Sequence, residues 1–381
     1  MTTTDNIVFE IDNKLDQLVK KIELLNYINP INIEVEKERF FQSKFTKNPN
    51  FKYPKVDFDS FKLQRELFAL KIEDIEDDII RKLYEDIIYE YSGLIECITT
   101  IGQGKKFYYN SLKSFGTPTE KDVENAKFIL HFEDEIDIEK NLPRFDVHET
   151  EKLFREYSKQ YDFSYEIKHS DKMSAIAMVL SNDKTLVLNT NHTFSETDVN
   201  ILTNHEIGVH MVTTMNSLRN DLKIFSHGFP NNVETQEGLA VYSEYMSNSI
   251  TLSRLKRLAF RVIAVNSLEK GYEFKQTFKL LYNNYSLCKE NAFNITLRVH
   301  RGGGFTKDYL YLTGLSKVYS YYKNEKNINL LLTGKTSIEY AKSIKYLISN
   351  NYAREPKYIT DSYQKNKNSK KTIAFILDNL A

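Results

Sequence analysis

Apolar side chains recur every three or four positions through the first third of the chain, a period typical of amphipathic helices. Three segments share this pattern: residues 5–30, 60–101 and 119–132. Pro30 and the glycines at 102–104 are predicted to end two of these helices, since both residue types interrupt a helix. An acidic run at 133–140, followed by Pro143, indicates a boundary near residue 145. The pattern therefore predicts an N-terminal helical region, residues 1–145.

The pattern changes in residues 146–381, the predicted second domain. Short alternating or apolar runs predict two or three strands of a small antiparallel sheet, with a turn at 181–183. These runs are residues 163–170, 176–180 and 184–190. Helical periodicity then predicts helices over 196–217, 235–249, 252–270, 272–286, 288–300, 306–323 and 337–351. A small sheet followed by many helices predicts a predominantly helical α+β fold.

Composition narrows the class of protein. Lys plus Arg and Asp plus Glu each number 52, so no net charge favours nucleic acid or an anionic membrane surface. Cys97 and Cys288 are the only cysteines, too few for a disulfide framework or a thiolate zinc site. The N-terminus lacks the pattern of a signal peptide, and no apolar run is long enough to span a bilayer. We therefore expect a cytoplasmic protein with neither a nucleic-acid nor a membrane partner.

One predicted helix carries a histidine motif with unusual spacing. His205, Glu206 and His210 form H-E-x-x-x-H, one residue longer than the H-E-x-x-H signature of zinc hydrolases. On a regular α-helix, positions five apart lie about 140° from each other, too far to hold one ion. A π-bulge would bring the two rings to within about 50° of each other, and Gly208 tolerates the distorted backbone. The spacing therefore predicts a π-bulge at 207–208.

The start and composition of this helix indicate that it is buried. Ser195 and Asp198 form a predicted capping box, and Phe194 with Val199 a predicted hydrophobic staple. Apolar residues then lie on more than one side of the helix. Buried histidines and a buried glutamate require partners, and a metal ion would be one.

A catalytic zinc takes three protein ligands, so the two histidines require a third. Glu237, in the first turn of the predicted helix 235–249, supplies a carboxylate, and Glu244 lies on the same face. His205, His210 and Glu237 would then hold Zn²⁺ and leave Glu206 as the general base. Glu244 either orients a ligating histidine or is an ordinary helix charge.

Each of these residues also has an ordinary interpretation. An H-E-x-x-x-H motif arises by chance in about one chain in a hundred, and glutamates are favoured in the first turn of any helix. The order of the two buried helices favours the metal site over coincidence. The other histidines show no ligand spacing and are expected on the surface or in the core: His131, His148, His169, His192, His227 and His300.

A basic, glycine-rich segment follows the predicted helix 288–300. Arg298 and Arg301 precede three consecutive glycines, 302–304, although one glycine would be enough to end the helix. Arginines near a helix C-terminus also complement its dipole, which is the ordinary interpretation. Three glycines indicate a close approach of the backbone to something, and a substrate chain is one candidate. Their spacing matches no nucleotide-binding loop.

The same segment offers candidate substrate contacts. Arg298 or Arg301 would bind a carboxylate bidentately, and Lys307 is a further cation nearby in the sequence. Tyr309 or Tyr311 would donate a hydrogen bond to the oxyanion that forms in amide hydrolysis.

Four stretches together resemble the family named for its QEGLA motif, known in bacteria as flavohemoglobin expression-modulating proteins. They are HEIGVHMVT, TQEGLAVYSEY, RLKRLAFRVIAV and RVHRGGGFTKDYLYLTGL, and the resemblance extends from about Met173 to Leu315. The eukaryotic members of that family include the microtubule-associated tyrosine carboxypeptidases. The resemblance implies a metallopeptidase with a zincin-like active-site helix. Its zinc ligands match His205, His210 and Glu237, and its catalytic glutamate matches Glu206.

The QEGLA stretch also resembles the N-E-G-F-A segment of gluzincin aminopeptidases, which implies Glu237 rather than Glu244 as the third ligand. His300 is a departure, because the resemblance leads us to expect Tyr or Phe there. These features predict a zinc-dependent carboxypeptidase that acts on the C-terminus of a peptide or protein. A zinc aminopeptidase or endopeptidase, or a regulatory protein with a structural zinc, are the alternatives. The N-terminal helices are expected to cover the cleft and set access to it.

Overall fold

A computed structural model describes residues 3–133, 138–171, 173 and 175–380, so part of the acidic run at 133–140 lies outside the described residues. The predicted, predominantly helical architecture is confirmed, with one small sheet between two helical groups along the chain. The first group contains α1 (Thr3–Val19), α2 (Leu24–Ile28), α3 (Ile33–Gln42), α4 (Ser60–Phe68), α5 (Asp78–Thr99), α6 (Lys105–Phe115), α7 (Glu120–Leu130), α8 (Ile138–Asn141) and α9 (Val147–Ser158).

The sheet and the second helical group follow. The strands are β1 (Glu166–Ser170), β2 (Ala177–Leu180) and β3 (Thr185–Asn189). The helices are α10 (Glu196–Leu202), a π-helix (Thr203–Met211), α11 (Val212–Ser217), α12 (Ile224–His227), α13 (Asn232–Met246), α14 (Leu252–Glu269), α15 (Phe274–Lys279), a second π-helix (Leu280–Asn284), α16 (Lys289–His300), α17 (Leu310–Lys323), α18 (Ala341–Ser349), α19 (Asp361–Gln364) and α20 (Lys371–Asp378). No helix among the described residues is long and apolar enough to cross a bilayer.

The sheet is mixed, which corrects the antiparallel prediction. Its strand order is β1-β3-β2, with β3 antiparallel to β2 and parallel to β1. The predicted turn at Ser181–Asp183 joins β2 to β3 as a hairpin, whereas β1 is followed in the chain by the strand at the opposite edge. β3 is the most buried strand, which suits its central place between two partners. β1 and β2 form the two edges of the sheet.

Two hydrophobic clusters form the interior. The larger one includes side chains from both predicted regions, from Val8 in α1 to Leu377 in α20. The smaller one lies around the sheet and includes Phe154 of α9, Leu186 of β3 and Ile207 of the π-helix. The two regions therefore share a core, and their separation at residue 145 stays a prediction.

The backbones of α13 and α17 touch at a pair of glycines. A Cβ atom on Gly238 would lie 2.3 Å from the carbonyl oxygen of Gly314, and one on Gly314 would lie 2.1 Å from that of Glu234. Real Cβ atoms do not approach backbone atoms so closely, so only glycine fits at either position. Gly238 directly follows Glu237, and this contact therefore fixes where the Glu237 carboxylate lies relative to α17.

Replacing Gly238 by alanine should destabilise the protein severely. We expect Gly238→Ala to lower the free energy of unfolding by about 3 kcal/mol or more, because backbone cannot move aside as a side chain does. Urea unfolding followed by circular dichroism measures this. Gly93→Ala is the control, since its Cβ would meet only the Ser114 hydroxyl, at 3.2 Å. Equal losses for the two variants would contradict this account of the α13–α17 contact.

Candidate metal centre and cleft

Residues 196–217 form one continuous helical run in which α10 passes into the π-helix and then α11. Its predicted capping box is present, with the Ser195 hydroxyl accepting from the Asp198 N–H. The wide winding spans nine residues, more than the bulge predicted at 207–208. It brings the rings of His205 and His210 to a centroid separation of 4.9 Å. The predicted effect of π-winding on the two histidines is confirmed.

Side chains from other elements bind carbonyl groups along this π-helix. The Thr360 hydroxyl donates to the Gly208 carbonyl at 2.7 Å, and the Ser243 hydroxyl donates to the Asn204 carbonyl at 2.9 Å. Gly208 also leaves room for Tyr157, whose hydroxyl would lie 3.1 Å from a Cβ at that position. Buried carbonyls need such partners, so these contacts support the unusual winding.

Three ligand atoms converge between the π-helix and α13. Glu237 Oε2 lies 3.6 Å from His205 Nε2 and 3.8 Å from His210 Nε2. These separations are too long for hydrogen bonds. They are close to the spacing of about 3.3 Å that donors 2.0–2.2 Å from one tetrahedral ion would adopt. Two imidazoles and a carboxylate in this arrangement could hold a metal ion.

The Glu237 carboxylate is engaged on one side only. Its Oε1 accepts from Lys307 Nζ at 3.0 Å, whereas its buried Oε2 has no hydrogen-bond partner among the described residues. Burial raises the pKa of Glu237, but Lys307 and the two histidines outweigh this and hold the pKa well below its usual range. An ionised oxygen that is buried without a donor is costly, and a bound cation would remove that cost.

Glu244 fixes the orientation of His205. Its Oε1 lies 2.8 Å from His205 Nδ1, which leaves Nε2 directed towards Glu237. Arg254 binds the same carboxylate with Nε and a terminal nitrogen, at 3.2 and 3.0 Å. Burial lowers the pKa of His205, but the neighbouring carboxylates Glu237 and Glu244 raise it to about 9. Of the two roles left open for Glu244, the fully buried position excludes an exposed helix charge.

Glu206 lies beside the three ligand atoms but is not one of them. Its carboxylate is buried, and the backbone of Val179 on the edge strand β2 helps to lower its pKa. Burial raises the pKa of Glu206, and His205 and His210 lower it in part. Glu206 lines a cavity of about 200 Å³ together with both histidines and Glu237. It is placed to exchange a proton with a molecule bound there.

This cavity continues in two directions. On the His210 side it adjoins a space of about 300 Å³, whose walls include α2 and the apolar side chains of Leu94, Phe115 and Phe305. On the His205 side it adjoins a space of about 370 Å³ lined by four arginines, Arg254, Arg257, Arg261 and Arg298. The ligand atoms therefore lie midway along a cleft with one mainly apolar end and one basic end.

The two predicted carboxylate-binding arginines differ in what already occupies them. Arg298 is paired with the fully buried Asp308, and the pKa of Asp308 is lowered because Arg298 and Arg261 outweigh the effect of burial. Arg301 donates to the Asn29 side chain at 2.6 Å, but its buried Nε has no partner among the described residues. Both line the cavity at Glu237. Of the two arginines, Arg301 is therefore the one with an N–H donor that no described residue binds.

The two candidate tyrosines lie on different sides of their segment. Tyr311 lines the cavity with its ring 4.7 Å from the Arg261 guanidinium and 5.3 Å from Lys307 Nζ. The Tyr309 hydroxyl instead donates to the Phe115 carbonyl at 2.8 Å, away from the ligand atoms. Tyr309 lies in a short 3₁₀ turn at Thr306–Tyr309, whereas Tyr311 lies in the following helix α17, and the two side chains point in different directions. Of the two candidate tyrosines, Tyr311 is the one near the candidate centre.

The three glycines contact the chain itself, which corrects the suggestion that a substrate backbone lies against them. A Cβ on Gly303 would lie 2.8 Å from Gly104 Cα, and one on Gly302 would lie 2.6 Å from the Phe107 ring. The Gly102 N–H also donates to the Gly302 carbonyl at 2.8 Å. All three glycines have positive φ angles, so both their backbone conformation and their contact with α6 require glycine.

Some functional neighbours had little or no signal in the sequence. Arg254 could have been suspected from the basic spacing of RLKRLAFR, but nothing local pointed to Asn29 or Asp308. His300 packs on Phe274 and lies 2.8 Å from the Thr277 hydroxyl, a core position as expected. The sequence shows no ligand spacing for the other histidines, but the fold brings the rings of His148 and His169 to 5.0 Å from each other.

Most of the sequence matches one known protein family. A sequence profile described as microtubule-associated tyrosine carboxypeptidase matches residues 38–381. The chain belongs to the microtubule-associated tyrosine carboxypeptidase family. One relative, named "Putative tyrosine carboxypeptidase MATCAP2", from Mus musculus, is 24% identical over 358 residues. That match covers 90% of this chain and 60% of the relative, so the chain spans about 60% of the relative's length.

The family match includes all the candidate ligands but not the whole cleft. His205, His210 and Glu237 lie within residues 38–381, as does the basic end. The α2 segment precedes that range, yet Leu25 and Asn29 line the cavity at Glu237. The α2 helix therefore contributes a wall that the family match does not include, whereas the expectation that the N-terminal helices cover the cleft and set access to it stays a prediction.

Removing the charge of Glu244 should destabilise the protein. We expect Glu244→Gln to cost about 3 kcal/mol of unfolding free energy, because Arg254 would remain buried without its counter-charge. Urea unfolding in the presence of EDTA measures this apart from metal binding. The double variant Glu244→Gln/Arg254→Met should recover much of the loss. Glu196→Gln, at the start of α10 with its side chain 43% exposed, is the control and should change stability by less than about 0.5 kcal/mol. A single variant as stable as the wild type would refute the buried pair.

Proposed function

We propose that this protein is a zinc-dependent carboxypeptidase that removes the C-terminal residue of a peptide or protein. The observation that carries the proposal is Oε2 of Glu237, which has no hydrogen-bond partner in the described part of the chain and faces the Nε2 atoms of His205 and His210. Membership of a carboxypeptidase family supports the same reaction class. The metal, the reaction and the substrate are all parts of this proposal.

The donor set suits zinc. His205, His210 and Glu237 would hold the ion, and Glu244 would keep His205 in the tautomer whose Nε2 lone pair is free. Two imidazoles and one carboxylate are a ligand set of zinc hydrolases. When bound, Zn²⁺ supplies a Lewis acid that polarises the scissile carbonyl and makes water easier to deprotonate. The 200 Å³ cavity leaves space for a substrate group beside the ligand atoms.

The remaining steps belong to side chains of the cleft. The Glu206 carboxylate takes a proton from the attacking water and passes it to the leaving amine. In the zincin-like arrangement, Glu206 stands on the helix that carries the histidine ligands and is not itself a ligand. The Tyr311 hydroxyl donates to the developing oxyanion, a role for which Tyr309 is wrongly directed. Lys307 holds Glu237 and adds positive charge next to the reacting carbonyl.

The substrate terminus would be recognised by charge and by an aromatic-sized pocket. Arg301 binds the terminal carboxylate through the Nε that has no partner within the described chain, whereas Asp308 already occupies Arg298. The name of the family suggests tyrosine as the residue removed. The adjoining 300 Å³ space is mainly apolar, with the Glu90 side chain at its wall, which would suit a phenol ring.

Blocked peptides should reveal both the reaction and its direction. We expect zinc-loaded enzyme to shorten an N-acetylated peptide ending in a free tyrosine, but not the same peptide with a C-terminal amide. Mass spectrometry of the products identifies the end that is lost. An aminopeptidase would cleave neither peptide, because both N-termini are acetylated, and an endopeptidase would cleave both peptides internally.

The isosteric change Glu206→Gln should reduce this activity by at least about 100-fold, because proton transfer is lost. Its zinc content, measured by plasma mass spectrometry, should equal that of the wild type. Glu196→Gln is the matched control, since it makes the same change at a half-exposed position of the same helical run. The catalytic proposal fails if Glu206→Gln cleaves as fast as wild type, and the zinc proposal fails if chelation leaves both activity and melting temperature unchanged.

The Arg301 side chain should determine affinity for the free carboxylate. We expect Arg301→Met to raise KM for the tyrosine-terminated peptide by about 100-fold with a smaller change in kcat, since one charged hydrogen-bonded contact is worth about 3 kcal/mol. Arg301→Lys should restore part of the loss. Arg298→Met should differ by lowering the melting temperature as well, because Asp308 would lose its partner. An unchanged KM in Arg301→Met would remove Arg301 from substrate binding.

A further inference from the structure

Three possible metal ligands meet where α9 packs beside β1. His148 and Glu151 stand one turn apart in α9, and His169 lies in β1. Each offers one ligand atom, and these atoms all lie within 4.8 Å of one another. The two imidazole rings are 5.0 Å apart, and His169 Nε2 lies 2.8 Å from Glu151 Oε2. The ring separation is close to the 4.9 Å between His205 and His210.

This cluster is separate from the cleft. As far as the described residues define them, the cavity at Glu237 and the two spaces that adjoin it are lined by other side chains. The side chains of Glu151 and His169 are each 23% exposed, and His148 is exposed. A dissolved ion could therefore reach the cluster directly from solvent.

The Glu151 carboxylate is already oriented for a third partner. Arg155 donates through Nε to Oε1 at 2.8 Å, which leaves Oε2 directed towards His169. Burial raises the pKa of Glu151, but Arg155 and His169 outweigh it and lower the pKa, so the carboxylate is ionised at neutral pH. A simple His169–Glu151 hydrogen bond explains the 2.8 Å contact. It does not explain why a second imidazole, that of His148, stands beside both.

We propose that His148, Glu151 and His169 form a second binding site for a divalent transition-metal ion, with Zn²⁺ as the best-suited ion. Two imidazoles and a carboxylate favour zinc, copper or nickel over calcium and magnesium, which prefer oxygen ligands. Binding breaks the hydrogen bond between His169 and Glu151 and places His169 in the tautomer whose Nε2 lone pair faces the ion. Water completes the coordination on the exposed side.

An ion at this position would tie α9 to the sheet. The far end of α9 contacts the π-helix, where the Tyr157 hydroxyl donates to Asn204 Oδ1 at 3.2 Å. The same hydroxyl lies over Gly208. Metal bound at one end of α9 would therefore stiffen the layer behind the histidine helix without entering the cleft. Its role is structural, and it does not depend on the proposed peptidase activity.

Zinc titration of the metal-free full-length protein tests the proposal. Isothermal calorimetry should show two equivalents in the wild type, and one equivalent in both His148→Ala/His169→Ala and His205→Ala. Zinc should still raise the melting temperature of His205→Ala, and this rise should vanish when His148→Ala/His169→Ala is added. His131→Ala is the matched control at an exposed histidine outside both clusters, and it should keep two equivalents.

The results separate this site from the proposed catalytic centre. A wild type that binds one equivalent, lost in His205→Ala, would overturn the second site and leave the first intact. Retention of two equivalents in His148→Ala/His169→Ala would also overturn it. If the alanine variant does not fold, Glu151→Gln replaces it, since the amide keeps the shape and loses the charge. Glu151→Gln should weaken the second binding event at least 10-fold, and an unchanged affinity would overturn the proposal.

Discussion

The wide winding of the helix at Thr203–Met211 is the constraint on which the rest of the site depends. A regular α-helix would direct His205 and His210 about 140° apart, and no third residue could then meet both. A π-helix is uncommon because its backbone geometry is less favourable, so it requires support from outside. Here that support comes from the hydroxyls of Thr360 and Ser243, which bind carbonyls of the wide segment. The winding of this helix is thus supported by residues that lie far away in the sequence.

Charge pairing explains how so many ionised groups stay buried at this point. Glu244 is neutralised by Arg254, Glu237 by Lys307, and Asp308 by Arg298. Both carboxylate oxygens of Glu244 and of Asp308 have hydrogen-bond partners. Of the three carboxylates, only that of Glu237 has an oxygen that nothing in the described chain binds. Buried ion pairs add little net stability, because desolvation offsets their attraction. Their effect here is to fix which atom faces the two histidines.

The sequence was most informative where chemistry is local. The π-winding followed from the interval between His205 and His210, and the helix bearing Glu237 was predicted within three residues at either end. Features created by distant contacts were missed. The triple glycine fits the turn at Gly104, almost two hundred residues earlier, and a short 3₁₀ turn decides which tyrosine faces the cleft. The mixed sheet depends on strand order. The parallel pairing of β1 with β3 could not be predicted, because the sequence alone does not show that β3 lies between β1 and β2.

The candidate ligands and one wall of the cleft come from different parts of the chain. The ligand atoms, Glu206 and the arginines all lie within the range that matches the family, and they are held by buried pairs and by the glycine contact between α13 and α17. The α2 wall precedes that range, and its Leu25 is 38% exposed. Asn29, at the end of α2, accepts a hydrogen bond from Arg301, whose Nε has no partner among the described residues. A short segment outside the matched range therefore lines the cavity and contacts Arg301 without contributing a candidate metal ligand.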